Sequence, residues 1–302
     1  MEPYVAFTVI AALVFAAGGG MQKHGIATRL GPVSAAAFAR RPGRVVWALC
    51  RNPLWVLGSL LTLVGFGFET QALGLGDLSV VKPLSRLQTL FTLLIGVWLL
   101  SERLAPREWL GMGVMLAGVL MLGSEPADAL VYIPDTTLSF ALSAGIVVLV
   151  LLLVPLAESG RWRLSPDAGL ALAGGALFSV GDLLMKMGTE VVRLQTGGFD
   201  LPGGSTLSTL VKTGEFQLAF AATLIGFVLQ QLAFSRGRVS VVIPVGGAAG
   251  TLLTALLGFG LLHEPLNVLR VGGIAVVIAG TLLATLPGAP PAGLARAPAN
   301  VL

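Results

Sequence analysis

Five ionisable side chains stand out inside the long apolar runs of this 302-residue chain: Glu69, Lys82, Arg86, Asp182 and Lys186. A charge inside such a run is costly unless it is paired or hydrated, so each marks a candidate path for a ligand or an ion. Arginine can grip an anionic group, and a carboxylate can carry a proton or a cation. Other pairings are open. Asp182 and Lys186 are one helical turn apart and could form an ordinary ion pair along a helix. Lys82 and Lys186 could snorkel to headgroups, and Glu69 with Arg86 could clamp two neighbouring helices.

The elements that carry these residues follow from composition. The chain is 55% hydrophobic and 11% charged, with a mean hydropathy of +0.88. A soluble domain carries about 25% charged residues, and so much apolar surface exceeds what one water-soluble core can hide. A disulfide scaffold is excluded because Cys50 is the sole cysteine. Disorder is excluded by the hydrophobicity, and nucleic-acid binding is disfavoured by a net charge of only +4 and by arginines that sort by membrane side rather than forming one patch. The reading is an all-α polytopic membrane protein with the lipid bilayer as its surroundings.

A spanning helix needs about 20 mostly apolar residues. Nine such runs are present, at 4–24, 53–75, 78–100, 107–124, 138–157, 168–189, 216–235, 239–262 and 267–287. Stretches 25–52 and 190–214 are too polar to span and suit short interfacial helices. Loop arginines and lysines set the orientation. With the N-terminus outside, the cytoplasmic segments hold twelve basic residues, including Arg29, Arg40, Arg41, Arg44 and Arg51, and the outer loops hold two, Arg193 and Lys212. The expectation is a multi-pass protein of the cytoplasmic membrane, N-terminus outside and C-terminus inside. At ~1.5 Å per residue, Glu69 lies roughly 9 Å and Arg86 roughly 12 Å below the outer face. Asp182 lies at similar depth, with Lys82 and Lys186 shallower. All five charges then sit in the outer half, as a polar chamber open to the outside.

The first half of the chain recurs in the second. Phe15, Gly18, Lys23 and Gly25 match Phe178, Gly181, Lys186 and Gly188. Gly65, Phe66, Ala72, Gly76 and Pro83 match Gly226, Phe227, Ala233, Gly237 and Pro244. Glu102, Leu104, Gly111 and Gly118 match Glu264, Leu266, Gly273 and Gly280. The offsets of 163, 161 and 162 residues agree closely. Equivalent spans are five apart, and an odd separation reverses direction, so the halves form an inverted pair. The expected organisation is a first repeat at 1–124, a connector with an unmatched span at 125–167, a second repeat at 168–287 and a disordered tail at 288–302. Inverted repeats are an architecture of alternating-access transporters.

A proline early in one span, a glutamate at its far end and two glycines in the next resembles the EamA-type repeat of the drug/metabolite transporter superfamily. The residues are Pro83, Glu102, Gly111 and Gly118, then Pro244, Glu264, Gly273 and Gly280. Nine spans with the N-terminus outside is more similar to the NIPA-type magnesium-transporter branch. The resemblance implies a secondary-active transporter without enzymatic activity or cofactor, working on a small-molecule substrate. That substrate is a small organic metabolite or amphiphile, anionic or zwitterionic, with Mg²⁺ as the alternative cargo. A homodimer is a candidate assembly.

Within that frame Glu69, Lys82, Arg86, Asp182 and Lys186 are the candidate substrate path. Pro83 and Pro244, each removing a backbone hydrogen bond near a span's start, are candidate hinges. Gly111, Gly118, Gly246, Gly250, Gly273 and Gly280 read as helix-packing positions. Glu102 and Glu264 are expected to cap or pair locally. The local excess of one positive charge disfavours Mg²⁺, although Glu69 and Asp182 could supply its oxygen ligands. The string Gly74-Leu75-Gly76-Asp77 matches that of intramembrane aspartyl proteases, but the second carboxylate such catalysis needs is missing. A non-transporting scaffold has no positive feature in its favour.

Overall fold

A computed structural model describes residues 2–29, 35–100, 106–124, 136–158, 165–201, 204–237, 239–265 and 267–285. Glu102, Arg103, Leu104, the acidic loop with Glu125, Asp128 and Asp135, the basic residues Arg161, Arg163 and Arg238, and the 288–302 tail lie outside them. All elements among the described residues are helices. They are α1 (Pro3–Arg29), α2 (Ala35–Arg40), α3 (Pro42–Cys50), α4 (Pro53–Leu75), α5 (Leu78–Leu84), α6 (Leu87–Leu100), α7 (Pro106–Gly123), α8 (Thr136–Glu158), α9 (Pro166–Thr196), α10 (Gly204–Lys212), α11 (Gly214–Arg236), α12 (Val239–Leu261) and α13 (Val268–Thr285). Seven apolar segments among them are long enough to cross a bilayer, and α7 and α13 carry shorter ones, Trp109–Leu122 and Val268–Leu283. The protein is a polytopic helical membrane protein. Exposed leucines such as Leu63, Leu120 and Leu152 belong against lipid rather than water.

Local chemistry sets the element boundaries. Asn52 caps α4, its side chain accepting from the N–H groups of Leu54 and Trp55 at 3.0 and 3.3 Å, with Pro53 at the first helical position. Thr213 caps α11 in the same way through Phe216 N–H. The third apolar run does not form one helix. Behind Pro83 the chain tightens, Arg86 N–H bonding to the Pro83 carbonyl and Gln88 N–H to that of Ser85, so α5 and α6 part at Ser85-Arg86. Its counterpart α12 runs continuously through Pro244. The sixth run continues past position 189: α9 has 31 residues and stops only where Gly197 turns to φ +76°. At ~1.5 Å per residue it is ~46 Å long, well beyond the ~30 Å hydrocarbon layer.

The two halves repeat the same helix-packing contacts at equivalent glycines. A Cβ on Gly18 would sit 2.8 Å from the Gly58 carbonyl and 2.9 Å from Thr62 Oγ1. At the equivalent place a Cβ on Gly181 would meet the Ala219 carbonyl at 3.2 Å and the Thr223 hydroxyl. Gly65 lies against Phe15 as Gly226 lies against Phe178. Hence α1 packs on α4 as α9 packs on α11.

Gly25 near the end of α1 touches Trp55 at the start of α4, and Gly76 after α4 touches Tyr4 at the start of α1. These contacts define a Tyr4 end and a Trp55 end of the bundle. Helix α9 begins at the Trp55 end, where Asp167 abuts Gly237, and Lys186 in its second half reaches Gly76 at the Tyr4 end. Helices α1 and α9 therefore run in opposite directions, and the halves are inverted. They meet again where α7 crosses α13. A Cβ on Gly118 would lie 2.9 Å from the Gly273 carbonyl, and one on Gly280 would lie 2.8 Å from the Gly111 carbonyl. The second contact is the first with the halves exchanged.

Candidate substrate site

A cavity of about 470 Å³ lies between the halves, with walls from α1, α4, α9, α11 and α12. At one end Lys82 bridges two carboxylates: its Nζ is 2.7 Å from Glu69 Oε1 and 2.9 Å from Asp182 Oδ2. Ser85 Oγ also donates to Glu69, at 3.2 Å. The three charged side chains are buried and come from α4, α5 and α9, so the bridge ties the first half to the second. Breaking one member of a buried ion pair costs ~3–5 kcal/mol, because its partner is left charged and dry.

Arg86 stands beside this cluster on the turn between α5 and α6, and it too lines the cavity. Its Nε finds no hydrogen-bond partner among the described residues. The guanidinium rests on the backbone of Gly247, where any Cβ would collide with Nη1. At the repeat offset Gly247 is the counterpart of Arg86 itself, so the two halves meet on this pair. The Lys82–Asp182 bridge also has a counterpart. Ile243 Cδ1 would lie 3.3 Å from a Cβ on Gly19. One half-to-half contact is thus ionic and its equivalent is apolar.

Lys186 does not face Asp182, and it does not reach toward headgroups. It is buried, pairs with Glu190 at 2.6 Å, and donates to the carbonyls of Leu73 and Gly76 at 3.0 Å each. Those carbonyls belong to the C-terminus of α4, where helix geometry leaves acceptors unsatisfied and the helix dipole favours a cation. Its counterpart Lys23 donates to the carbonyls of Phe234 and of Gly237 at the end of α11, the latter at 2.7 Å. Glu69 pairs with Lys82 rather than with Arg86.

A second cluster covers the Tyr4 end. Glu264 accepts hydrogen bonds from the N–H groups of Leu78 and Ser79 at 2.7 and 2.8 Å, closing the first turn of α5 from the other half. Arg270 is fully buried, 3.0 Å from Asp77 Oδ2 and 3.3 Å from Ser79 Oγ. Burial pushes the Glu264 carboxyl above the usual glutamate range, and neighbouring Asp77 adds to the push. Sequence reasoning missed Arg270, Glu190 and the long reach of Glu264. The available sign was an arginine inside the apolar run 267–287.

This cover changes the expected direction of the chamber. The charged cluster is closed toward the Tyr4 end by the Lys186 and Glu264 contacts. The cavity instead continues from Arg86 to Gln22, Trp55 and the exposed Cys50 at the Trp55 end. There Gln231 donates to Gln22 at 2.9 Å and Trp55 donates to Gln231 at 3.1 Å, again linking the two halves. Gly246 packs on Ala171, 2.8 Å separating its Cβ position from that carbonyl, and Gly250 packs on Gly175. Pro244 lies in the same continuous helix.

Residues 3–124 match the EamA-like transporter family. The chain is 26% identical over 260 residues to an uncharacterized protein of Corynebacterium glutamicum, covering 81% of this chain and 83% of that protein. It is 25% identical over 251 residues to the probable magnesium transporter NIPA9 of Arabidopsis thaliana, covering 80% of this chain and 70% of that protein. No solved structure matches. The likeness to EamA-type and NIPA-type proteins, read first from the proline, glutamate and glycine pattern, is borne out.

Proposed function

We propose that this EamA-like membrane transporter is secondary-active. On this reading it moves a small organic metabolite or amphiphile with an anionic or zwitterionic group, by alternating access of its two inverted halves. The observation that carries this reading is the cavity between the halves with Arg86 at its charged end. With Lys186 paired to Glu190, Lys82 and Arg86 together balance Glu69 and Asp182, and the cluster is neutral, not positive by one as expected from the sequence. Arg86 is the cation whose Nε has no hydrogen-bond partner among the described residues and so can meet an incoming anion. Its five N–H donors suit a carboxylate or phosphate. Release and re-formation of the Lys82 bridge supplies a switch between the halves.

The second reading is Mg²⁺ transport, favoured by the likeness to NIPA9 and by two carboxylates facing one cavity. Mg²⁺ needs oxygen ligands and keeps several waters, so two carboxylates would serve. Lys82 would first have to leave them, and Arg86 would still repel a dication. Purified protein in liposomes, screened for uptake of labelled organic anions and of Mg²⁺ with and without a pH gradient, separates the two. Saturable organic-anion uptake lost in Arg86→Ala supports the first reading. Mg²⁺ flux abolished by Asp182→Asn and indifferent to Arg86→Ala overturns it.

The proposed orientation places the Tyr4 end outside and the Trp55 end in the cytoplasm, from the excess of arginine at the latter. A periplasm-specific reporter fused after Asp128 should be active and one fused after Arg163 silent; the reverse pattern would invert the assignment.

A further inference from the structure

The cavity is flanked by a pair of equivalent helices, α4 and α11. Leu63 and Phe66 of α4 are the repeat counterparts of Leu224 and Phe227 of α11, and all four line it. So do Leu60 and Phe220. Although they line a cavity, Leu60, Leu63, Phe220 and Leu224 are 55, 58, 44 and 52% exposed. The two helices meet at the Trp55 end, where Trp55 lies against Gln231 and Phe227; otherwise α4 lies on α1 and α9, and α11 lies on α9 and α1.

Depth decides what these exposed side chains meet. Leu60 and Leu63 lie seven and ten residues into α4, and Phe220 and Leu224 lie six and ten residues into α11. That is ~9–15 Å from the start of each helix, within a hydrocarbon layer ~30 Å thick. The two helices start at opposite ends, so the four side chains share the middle of the bundle. Acyl chains, not water, surround a protein at that level.

We infer that the gap between α4 and α11 is a lateral portal. Through it a single-chain amphiphile with an anionic head enters the cavity from the bilayer, its head on Arg86 and its chain between Leu63 and Leu224. Apolar walls at mid-membrane depth suit the chain, and one arginine with an unused Nε suits the head. A volume of about 470 Å³ falls in the ~300–1,000 Å³ range of small-molecule sites. The inference rests on the cavity being a ligand site and names its ligand class and entry route. It does not require that transport follow.

The test is photolabelling in liposomes with a twelve-carbon fatty acid that carries a diazirine near its chain end, mapped by mass spectrometry. Labels should concentrate on cavity residues of α4 and α11. They should fall at least fivefold in Arg86→Gln and in Leu224→Trp, a lipid-level substitution that leaves the buried core untouched. Arg44→Gln, remote from the cavity, should label as the natural protein does. A water-soluble four-carbon carboxylate should not protect the site, whereas unlabelled twelve-carbon acid should. Labels spread evenly onto outward residues of α8 such as Leu149 and Leu152 would overturn the portal. So would cavity labelling indifferent to both substitutions, or full protection by the short acid. Because binding alone is read, a failed portal leaves the uptake result standing, and absent uptake leaves the portal standing.

Discussion

Lys186 and Lys23 hold equivalent places in the two halves, and each caps the C-terminal carbonyls of a helix in the opposite half. Lys186 closes the end of α4 at the Tyr4 side, and Lys23 closes the end of α11 at the Trp55 side. The halves are thus pinned at both ends by one device used twice, with the Lys82 bridge between them. The two pins are not equal. Lys186 also neutralises the buried Glu190 at 2.6 Å, whereas the carboxylate beside Lys23 is the part-exposed Asp167.

That inequality predicts a difference in stability. Lys186→Met leaves Glu190 buried with only the part-exposed Arg193, 4.0 Å away, as a counter-charge, and should cost ~3 kcal/mol. Lys23→Met removes a cap and leaves only the part-exposed Asp167 beside it, and should cost ~1 kcal/mol. Adding Glu190→Gln to Lys186→Met should recover most of the loss. Denaturation of the four proteins checks this, and equal losses for the two lysines would contradict it.

Lys82→Met should destabilise the protein by ~3–5 kcal/mol by stranding Glu69 and Asp182. The neutral triple variant Lys82→Met, Glu69→Gln, Asp182→Asn should regain much of that stability while uptake stays lost. Recovery of uptake together with stability would show the bridge to be scaffolding alone.

Gly247→Ala places a methyl where the Arg86 guanidinium lies. It should displace that side chain, raise KM for an anionic substrate ~10-fold, which is ~1.4 kcal/mol of binding, and leave kcat close to the natural value. Uptake kinetics check the split. An unchanged KM would mean that Arg86 does not meet the substrate.

Glu264 gives the Tyr4 end a pH dependence. Its carboxyl is held above the ordinary value of 4.5 by burial and by Asp77. Above that value the folded protein keeps the proton more tightly than the unfolded chain, so stability falls as pH rises until the folded carboxyl has ionised. Glu264→Gln has no such proton to hold. The Tm of the natural protein minus that of Glu264→Gln should decline from pH 4.5 upward, and parallel profiles would contradict the assignment.

Much of the architecture was legible in the sequence because bilayer thickness writes itself into the length of apolar runs. The inverted repeat was legible because Lys23, Gly25 and Gly76 return with fixed partners. The half-to-half pairings were not. Glu264 caps a helix 186 residues away, and Lys186 finds acceptors on backbone carbonyls, which no spacing of side chains encodes. Arg270 stayed hidden inside an apolar run. The end of α9 was misjudged because Glu190 looks like a surface residue until Lys186 is placed one turn before it. The break at Arg86 follows Pro83 but not Pro244, so a proline alone did not predict where a helix would part.

Alternating access requires the Tyr4 end to open, and one cross-link addresses that directly. A Cβ on Gly258 of α12 would lie 3.5 Å from Ser79 Cβ of α5, within the span of a disulfide, and 2.7 Å from Glu264 Oε2, so the Glu264 side chain must turn aside for it. In a Cys50→Ser background, Ser79→Cys with Gly258→Cys should form a bond that joins the two halves at this end. The oxidised protein should still bind ligand from the Trp55 end but show no uptake, and reduction should restore it. Uptake by the oxidised protein at the rate of the reduced one would contradict alternating access between these halves.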